Sequence, residues 1–329
     1  WGAVAGLSLG LGPLVGGLLT DTIGWAANFW LNVPVCLVAA IGAVLFVPES
    51  RAARPRRFDP AGQILMLGLL AGAVGALIEG PEAGWSSSLV LTLAVLAVVC
   101  LALFTVVERR VAEPLVDLRF FRSAAFSSSV LIAVMVFTVQ GGCLFLVPLL
   151  LQGPFGYSAL MTGALILPMA AVLALSSPVS GRLVGRRGTR PSLVIGGAAI
   201  SVASVMLVFI STGTPAWYLI IAFTMLGAGI GFINPPITTT AVAGLPLSQA
   251  GTASGLASAS RQVGVALGVA VAGLAASADD LRLTAASHPV FRLTAVLGLV
   301  VASLGVVSTT RWARGTRHRL DALFNASDA

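Results

Sequence analysis

Residues 1–20 read WGAVAGLSLGLGPLVGGLLT and contain no charged side chain. A helix of this length, rising about 1.5 Å per residue, crosses the roughly 30 Å hydrocarbon core of a bilayer. Pro13 lacks an amide donor and is expected to bend the helix. The stretch therefore predicts a membrane-spanning helix whose backbone packs closely against another helix. Its small residues recur at every fourth position in two series, Gly2, Gly6 and Gly10, and Ser8, Gly12 and Gly16.

The composition of the whole chain also indicates a membrane protein. Apolar residues make up 57% of the sequence and charged residues 9%, whereas soluble proteins contain roughly 25% charged residues. We therefore expect an integral membrane protein that contacts the lipid bilayer. The chain does not begin with Met, so we expect further sequence upstream of Trp1, an N-terminal truncation.

Reactive side chains are few and scattered. Cys36, Cys100 and Cys143 stand alone in apolar runs, and His288 and His318 are isolated near a loop and the tail. No pair has the spacing of a metal or redox motif. We predict no metal site, no cofactor and no catalytic residues, and therefore no enzyme.

Charge-free runs divide the chain into ten predicted spans joined by short loops. Most are close to the roughly 20 residues that a membrane helix needs. The predicted fold class is therefore all-α integral membrane, with about ten transmembrane helices. The spans are residues 1–20, 28–47, 61–78, 88–107, 125–150, 159–180, 193–210, 216–237, 252–276 and 290–308.

The basic residues, all of them arginine, predict the orientation. Sixteen of the nineteen follow even-numbered spans, four in each of four segments. By the positive-inside rule these ends and the C-terminal tail are cytoplasmic. The net charge of +7 is then explained by topology and anionic lipid, and no basic domain exists to bind nucleic acid.

The ninth span repeats the small-residue pattern of the first, with Gly264, Gly268 and Ala272 at every fourth position. Two such helices far apart in sequence suggest equivalent positions in two repeated bundles. Transporters are commonly built in this way, with a site near the midplane at the repeat interface. The alternative is that small residues simply pack helices together.

Polar side chains at membrane depth are rare and form the candidate substrate path, which comprises Asn32, Gln140, Asn234, Arg261 and Gln262. For Arg261 we weigh a cavity-lining or gating role against a later helix start that lets it reach the headgroups. For Asn32 and Asn234, which lie near prolines, the alternative role is to satisfy backbone carbonyls. No Asp or Glu falls within the ten spans, so the sequence contains no obvious proton-carrying acid.

Several sequence blocks together resemble the fourteen-helix drug:proton antiporters of the major facilitator superfamily, the EmrB/QacA-type multidrug exporters. Their order and spacing carry the resemblance, which covers essentially the whole chain. The blocks are GPLVGG at 12–17, LNVP at 31–34, FDPAG at 58–62, ERR at 108–110 with DLRFF at 117–121, LQ at 151–152 with GYSAL at 156–160, and AGTASG at 250–255.

The resemblance implies a major facilitator fold in which the ten spans are helices 5–14 of fourteen. Residues 1–48 would be the last two helices of the N-terminal bundle. Residues 49–122 would be a central extra helix pair with cytoplasmic flanking loops, and residues 123–310 the C-terminal six-helix bundle. Residues 311–329 would be a cytoplasmic tail.

The same resemblance implies two motifs. Gly12, Pro13, Gly16 and Gly17 match a bundle-interface motif of these exporters. The block at residues 181–188 resembles their cytoplasmic loop motif, although Gly185 replaces its usual acidic residue. The residues assigned to that loop motif are Gly181, Arg182, Arg186, Arg187 and Gly188.

From these features we expect proton-coupled export of drugs or other amphipathic organic compounds by alternating access. The expected protein is monomeric and lies in the bacterial plasma membrane, with protons and a small amphipathic substrate as partners. The proton gradient is inferred from the family alone. Two alternatives stay open, a dedicated exporter of one host metabolite or antibiotic and a truncated remnant without transport activity.

Overall fold

The computed structural model describes residues 2–47, 59–111, 114–116, 118–242, 247–276 and 280–310. The basic segment at 51–57 and the predicted tail at 311–329 lie outside them. The described chain is helical, which confirms the predicted all-α fold. The elements are α1 (Gly2–Thr22), α2 (Ala27–Phe46), α3 (Pro60–Ala83), α4 (Ser88–Glu108), a short 3-10 helix (Leu118–Arg122), α5 (Ala124–Gln152), α6 (Ala159–Arg187), α7 (Thr189–Val208), α8 (Ala216–Val242), α9 (Leu247–Ala276) and α10 (Asp280–Val307).

Nine of the helices in the described ranges, α2 to α10, are long and apolar enough to cross a membrane. The predicted first span corresponds to α1, a helix of 21 residues with Pro13 inside it. The chain is therefore a multi-pass membrane protein with apolar surfaces that contact lipid. This agrees with the expectation of about ten spans.

Helix starts follow local capping chemistry. The hydroxyl oxygens of Ser87, Ser123 and Ser158 accept hydrogen bonds from the amide three residues later, at 3.3, 3.4 and 3.1 Å. Asp59 does the same for the Gly62 amide at 2.9 Å, ahead of Pro60 in the first turn of α3. Each side chain satisfies an amide that the helix itself leaves without a partner.

Two helices extend past the predicted span ends. The arginine-rich segment after residue 180 was expected to be a loop, but α6 continues to Arg187 and ends at Gly188, whose φ of 78° favours glycine. Arginines are stabilising in the last turn of a helix, close to its negative dipole end. Likewise α10 begins at Asp280 rather than near residue 290. Charge-free runs mark the apolar core of a span, not the whole helix.

The helices α5 to α10 pack on one another around a common apolar core that includes Leu146, Ile200, Leu226 and Ile230. Outside this group, α1 packs along α6, and α3 and α4 form a hairpin that contacts α9 through α3. The helix α2 has no buried residue. The proposed division at residues 48, 122 and 310 stays a prediction.

A proline in α8 is matched by a hydroxyl from α6. Pro236 has no N–H, so the carbonyl of Phe232 four residues earlier loses its helical partner. The buried Ser180 hydroxyl donates to that carbonyl at 2.6 Å. Ser201 ties α7 to α10 similarly, donating to the Ala295 carbonyl at 2.9 Å. Such bonds keep backbone groups satisfied where no water reaches them.

Candidate transport site and helix interfaces

The α1–α6 seam is the interface where Pro13 and Gly17 of α1 meet Ala159 and Gly163 of α6. A methyl group added to Gly17 would lie 2.6 Å from the Ala159 carbonyl oxygen. One added to Gly163 would lie 2.5 Å from the Pro13 carbonyl oxygen. The two backbones therefore touch, and any side chain larger than hydrogen at either glycine would push them apart.

The predicted bundle-interface motif is only partly at this seam. Gly17 is buried there, and the Pro13 carbonyl faces α6. A methyl group added to Gly12 would meet nothing within 4 Å, and one on Gly16 would meet only the Asn28 side chain of α2, at 3.5 Å. The family resemblance that grouped these residues does not distinguish those that face α6 from those that do not. Its role in the transport cycle stays a prediction.

The α5–α9 seam is built from glycines on both helices, Gly141 and Gly142 of α5 and Gly264 and Gly268 of α9. Added methyl groups would lie 2.6 Å from the Val265 carbonyl oxygen at Gly141 and 2.5 Å from the Val134 carbonyl oxygen at Gly264. One on Gly268 would meet the Thr138 carbonyl oxygen. The ninth span is therefore close-packed as expected, within the α5–α10 group.

Arg261 lies fourteen residues after the start of α9 at Leu247, about 21 Å along the helix. The apolar span of this helix begins at Gly255, so Arg261 lies six residues inside it, and its two alternative roles both stay predictions. Its guanidinium donates to the Thr238 hydroxyl of α8 at 2.7 Å and stacks over the Phe137 ring of α5, 5.5 Å from the centroid. Its Nε–H is buried and has no hydrogen-bond partner. The residue thus links three helices and keeps one donor available.

Two more of the predicted path residues lie near this link. Thr238 donates in turn to the carbonyl of Asn234 at 3.3 Å, which places Asn234 one turn along α8. Gln140 lies one turn along α5 from Phe137, and its buried Oε1 has no hydrogen-bond partner. An unpaired amide oxygen and an unpaired guanidinium N–H inside a helix bundle can bind a polar group on a ligand.

The other two path residues lie elsewhere. Gln262 lines a cavity of about 650 Å³ between α3, α5 and α9, whose other walls are largely apolar. Asn32 is exposed on α2, where its amide donates to the Asn28 carbonyl of its own helix at 3.1 Å. The structure therefore links Arg261 to Thr238 and Phe137, with Asn234 one turn from Thr238 and Gln140 one turn from Phe137, whereas Asn32 lies on α2, away from this link. Apolar residues lining the cavity include Met66, Leu70, Val74, Val134 and Val263.

The residues of the predicted loop motif occupy the end of α6. Arg182, Arg186 and Arg187 are exposed, and methyl groups added to Gly181 or Gly185 would meet nothing within 4 Å. The arginines are thus free to meet solvent or headgroups. In the described ranges, no three His, Cys, Asp or Glu side chains come together as a metal site.

Sequence reasoning missed several polar links. Asn28 donates to the Thr20 hydroxyl at 2.8 Å and joins α2 to α1. The carboxylate of Asp21 accepts from the Leu160 amide of α6 at 2.9 Å. In the sequence Asp21 directly follows the first charge-free run, and Thr238 lies in a run of three threonines after Pro236. Only their hydrogen bonds to other helices distinguish these residues from ordinary polar groups at helix ends.

Comparison with known proteins places these features in a family. Residues 1–269 match the Major Facilitator Superfamily. The chain is 37% identical over 273 residues to the multidrug resistance protein Stp of Mycobacterium tuberculosis, covering 83% of this chain and 51% of that protein. It is 36% identical over 281 residues to the tetracenomycin C resistance and export protein of Streptomyces glaucescens, with 83% and 51% covered.

A third relative is the puromycin resistance protein pur8 of Streptomyces alboniger, 36% identical over 277 residues, with 82% of this chain and 54% of that protein covered. The chain thus spans about half the length of the curated relatives that it matches. The match to the superfamily covers most of the chain. The predicted resemblance is confirmed, and the chain belongs to the major facilitator superfamily.

Proposed function

We propose that the protein exports drugs or other amphipathic organic compounds across the membrane by alternating access. Sequence similarity carries the choice of substrate class, since relatives covering more than four-fifths of this chain are named for multidrug or antibiotic resistance. The α1–α6 seam supports the choice of mechanism. The two backbones meet at Gly17 and Gly163, and small residues at a helix interface permit the close approach that a closed state needs.

Arg261, Asn234 and Gln140 are the proposed polar contacts of the substrate on the α5–α10 side. The unpaired Nε–H of Arg261 and the unpaired Oε1 of Gln140 offer one donor and one acceptor. Phe137 adds an aromatic face beside them. A site with few polar groups and much apolar surface suits amphipathic compounds of varied shape.

The proposed energy source is proton entry, for which the family resemblance is the support. In the apolar cores of the predicted spans there is no Asp or Glu. The acid that carries the proton would therefore lie at a helix end or in another part of a longer protein. No cofactor takes part in this scheme.

The proposed location is the bacterial plasma membrane, with the protein monomeric and the even-numbered helix ends in the cytoplasm. Both the arginine distribution and the bacterial sources of the relatives support it. A cysteine at Thr310 tests the orientation. It should react with a membrane-impermeant maleimide in inverted vesicles and stay unlabelled in intact cells, and the reverse pattern would contradict the proposal.

Dye efflux tests the export proposal. Cells producing the protein should expel an amphipathic cationic dye several times faster than cells without it, and a protonophore should abolish the difference. Efflux that continues after the protonophore is added would contradict proton coupling but would still support export. Equal dye retention in both cells, for a panel of cationic and neutral dyes, would favour the truncated remnant.

A dedicated exporter of one compound is the second candidate. Relatives named for tetracenomycin C and puromycin favour it, since their names specify single antibiotics. Growth of cells producing the protein on a panel of unrelated antibiotics distinguishes a dedicated exporter from a multidrug exporter. Resistance to one structural class alone supports the dedicated exporter, and resistance to several classes supports multidrug export.

A further inference from the structure

We propose that Asp21 is a latch that holds the α1–α6 seam closed on the outer side of the membrane. This inference rests on the proposed alternating-access function and on the proposed orientation. It assigns a gating role to Asp21. Asp21 is in the last turn of α1, and its Oδ2 accepts a hydrogen bond from the Leu160 amide of α6 at 2.9 Å. The two residues are 139 positions apart in the sequence.

The start of α6 is arranged to receive this carboxylate. Ser158 caps the helix, and its hydroxyl accepts from the Met161 amide at 3.1 Å. The Leu160 amide has no partner within its own helix, because the first amides of any helix lack one. Asp21 supplies that partner from α1. A carboxylate at the positive end of the helix dipole, accepting a charge-assisted hydrogen bond, is favourable on both counts.

The latch lies directly beyond the contact between Gly17 and Ala159. Gly17, one turn before Asp21, meets the Ala159 backbone, and Gly163, one turn after Ala159, meets Pro13 and Leu14. The helices run antiparallel, since positions rise along α1 as they fall along α6. Separating them at the Asp21 end requires loss of the carboxylate–amide bond before the glycine contacts part. Opening towards the outside therefore begins with Asp21.

A neighbouring residue provides a matched control. The Thr22 hydroxyl donates to the Leu18 carbonyl of its own helix at 2.6 Å. Replacing Thr22 alters the same turn of α1 without removing a bond to α6. The seam itself offers a reporter at Leu14, whose Cα would lie 3.1 Å from a methyl group on Gly163.

The test measures thiol labelling and does not depend on transport. Leu14→Cys is introduced where Cys36, Cys100 and Cys143 are replaced by Ala, and intact cells are treated with a membrane-impermeant maleimide. Asp21→Ala should raise the labelling rate about fivefold, the scale of a lost charge–dipole contact at a helix end. Thr22→Ala should label at the parent rate. Equal rates for Asp21→Ala and the parent would overturn the latch.

Asp21→Asn preserves the size of the side chain and protects the test if Asp21→Ala fails to insert. It should label faster than the parent but less than Asp21→Ala, because a neutral amide oxygen still accepts a weaker bond. Labelling of Asp21→Asn at the parent rate would also overturn the proposal. Dye efflux in the same cells is read separately. If Asp21→Ala labels faster than the parent and neither protein expels dye, the latch is supported and only the export proposal is contradicted.

Discussion

Both the α1–α6 seam and the α5–α9 seam are backbone contacts at glycines, but they differ in how many glycines take part. In the α5–α9 seam four glycines from two helices interlock, and no substitution can be accommodated without moving a backbone. In the α1–α6 seam one glycine from each helix makes contact, and a carboxylate closes the end. The first arrangement suits a permanent contact within a bundle, and the second suits a contact that opens and closes. The following substitutions test that distinction.

The largest effect is expected for Gly268→Leu in the α5–α9 seam. The new side chain would be forced against the Thr138 carbonyl and the Gly142 amide, the latter 2.6 Å from its first carbon. Overpacking of this kind costs about 1–3 kcal/mol or more. We expect almost no folded protein by size-exclusion chromatography in detergent. Gly273→Leu on the same helix, where a methyl group meets nothing within 4 Å, should elute like the parent. Normal folding of Gly268→Leu would contradict a rigid contact between α5 and α9.

The second effect is expected at Gly17→Ala in the α1–α6 seam. A methyl group 2.6 Å from the Ala159 carbonyl oxygen keeps the helices from closing. The apolar core of α5 to α10 contains no residue of α1, so we expect parental amounts of protein in the membrane. The dye efflux rate should fall about tenfold, the change that follows from a shift of about 1.4 kcal/mol in the closing equilibrium. Gly12→Ala is the control, because its methyl group has open space. Equal loss of efflux in both variants would indicate a general helix defect.

The third effect concerns the polar link beside the α5–α9 seam. Thr238→Val removes the acceptor for Arg261 and leaves a charged donor without its bond. Because Thr238 is exposed, we expect a loss of only about 1 kcal/mol in thermal unfolding. Thr239→Val is matched to it, since that hydroxyl donates to the Pro235 carbonyl of its own helix. If the two variants unfold at the same temperature, Arg261 does not stabilise the contact between α8 and α9.

The smallest effect is expected for Ser180→Ala, which leaves the Phe232 carbonyl without its donor. Interhelical hydrogen bonds in membrane proteins average about 0.6 kcal/mol, so the melting temperature should fall slightly and efflux should not change. Ser303→Ala is the control, because Ser303 is exposed and donates within α10. A large loss of efflux in Ser180→Ala would show that the α6–α8 contact also moves during transport.

Much of this architecture is predictable from the sequence, because the absence of charge over about twenty residues has one common cause, the bilayer core. Helix ends are less predictable, since Arg186 and Arg187 are compatible with both a helix terminus and a loop. Periodic glycines predict that a helix is close-packed but not which helix it meets. The family resemblance grouped Gly12 and Gly16 with Gly17, but a methyl group added to Gly17 alone of these three would meet α6.

The candidate site shows the same limit. Arg261 and Gln140 are identifiable because polar groups are rare at membrane depth. Their relation to Thr238 and Phe137 depends on how α5, α8 and α9 pack, which no local pattern encodes. Asp21 is harder still, because an acidic residue at a helix end is usually solvated. Its hydrogen bond to α6 arises only from the folded arrangement of two distant segments.

Distance measurements across the two seams test the central claim most directly. Spin labels at Leu18 and Met161 report on the α1–α6 seam, and labels at Leu149 and Leu274 report on the α5–α9 seam. The first pair should show two distances whose populations change when an amphipathic cationic dye or a pH gradient is applied. The second pair should keep one distance throughout. A single unchanging distance in the first pair, or parallel changes in both, would contradict the account.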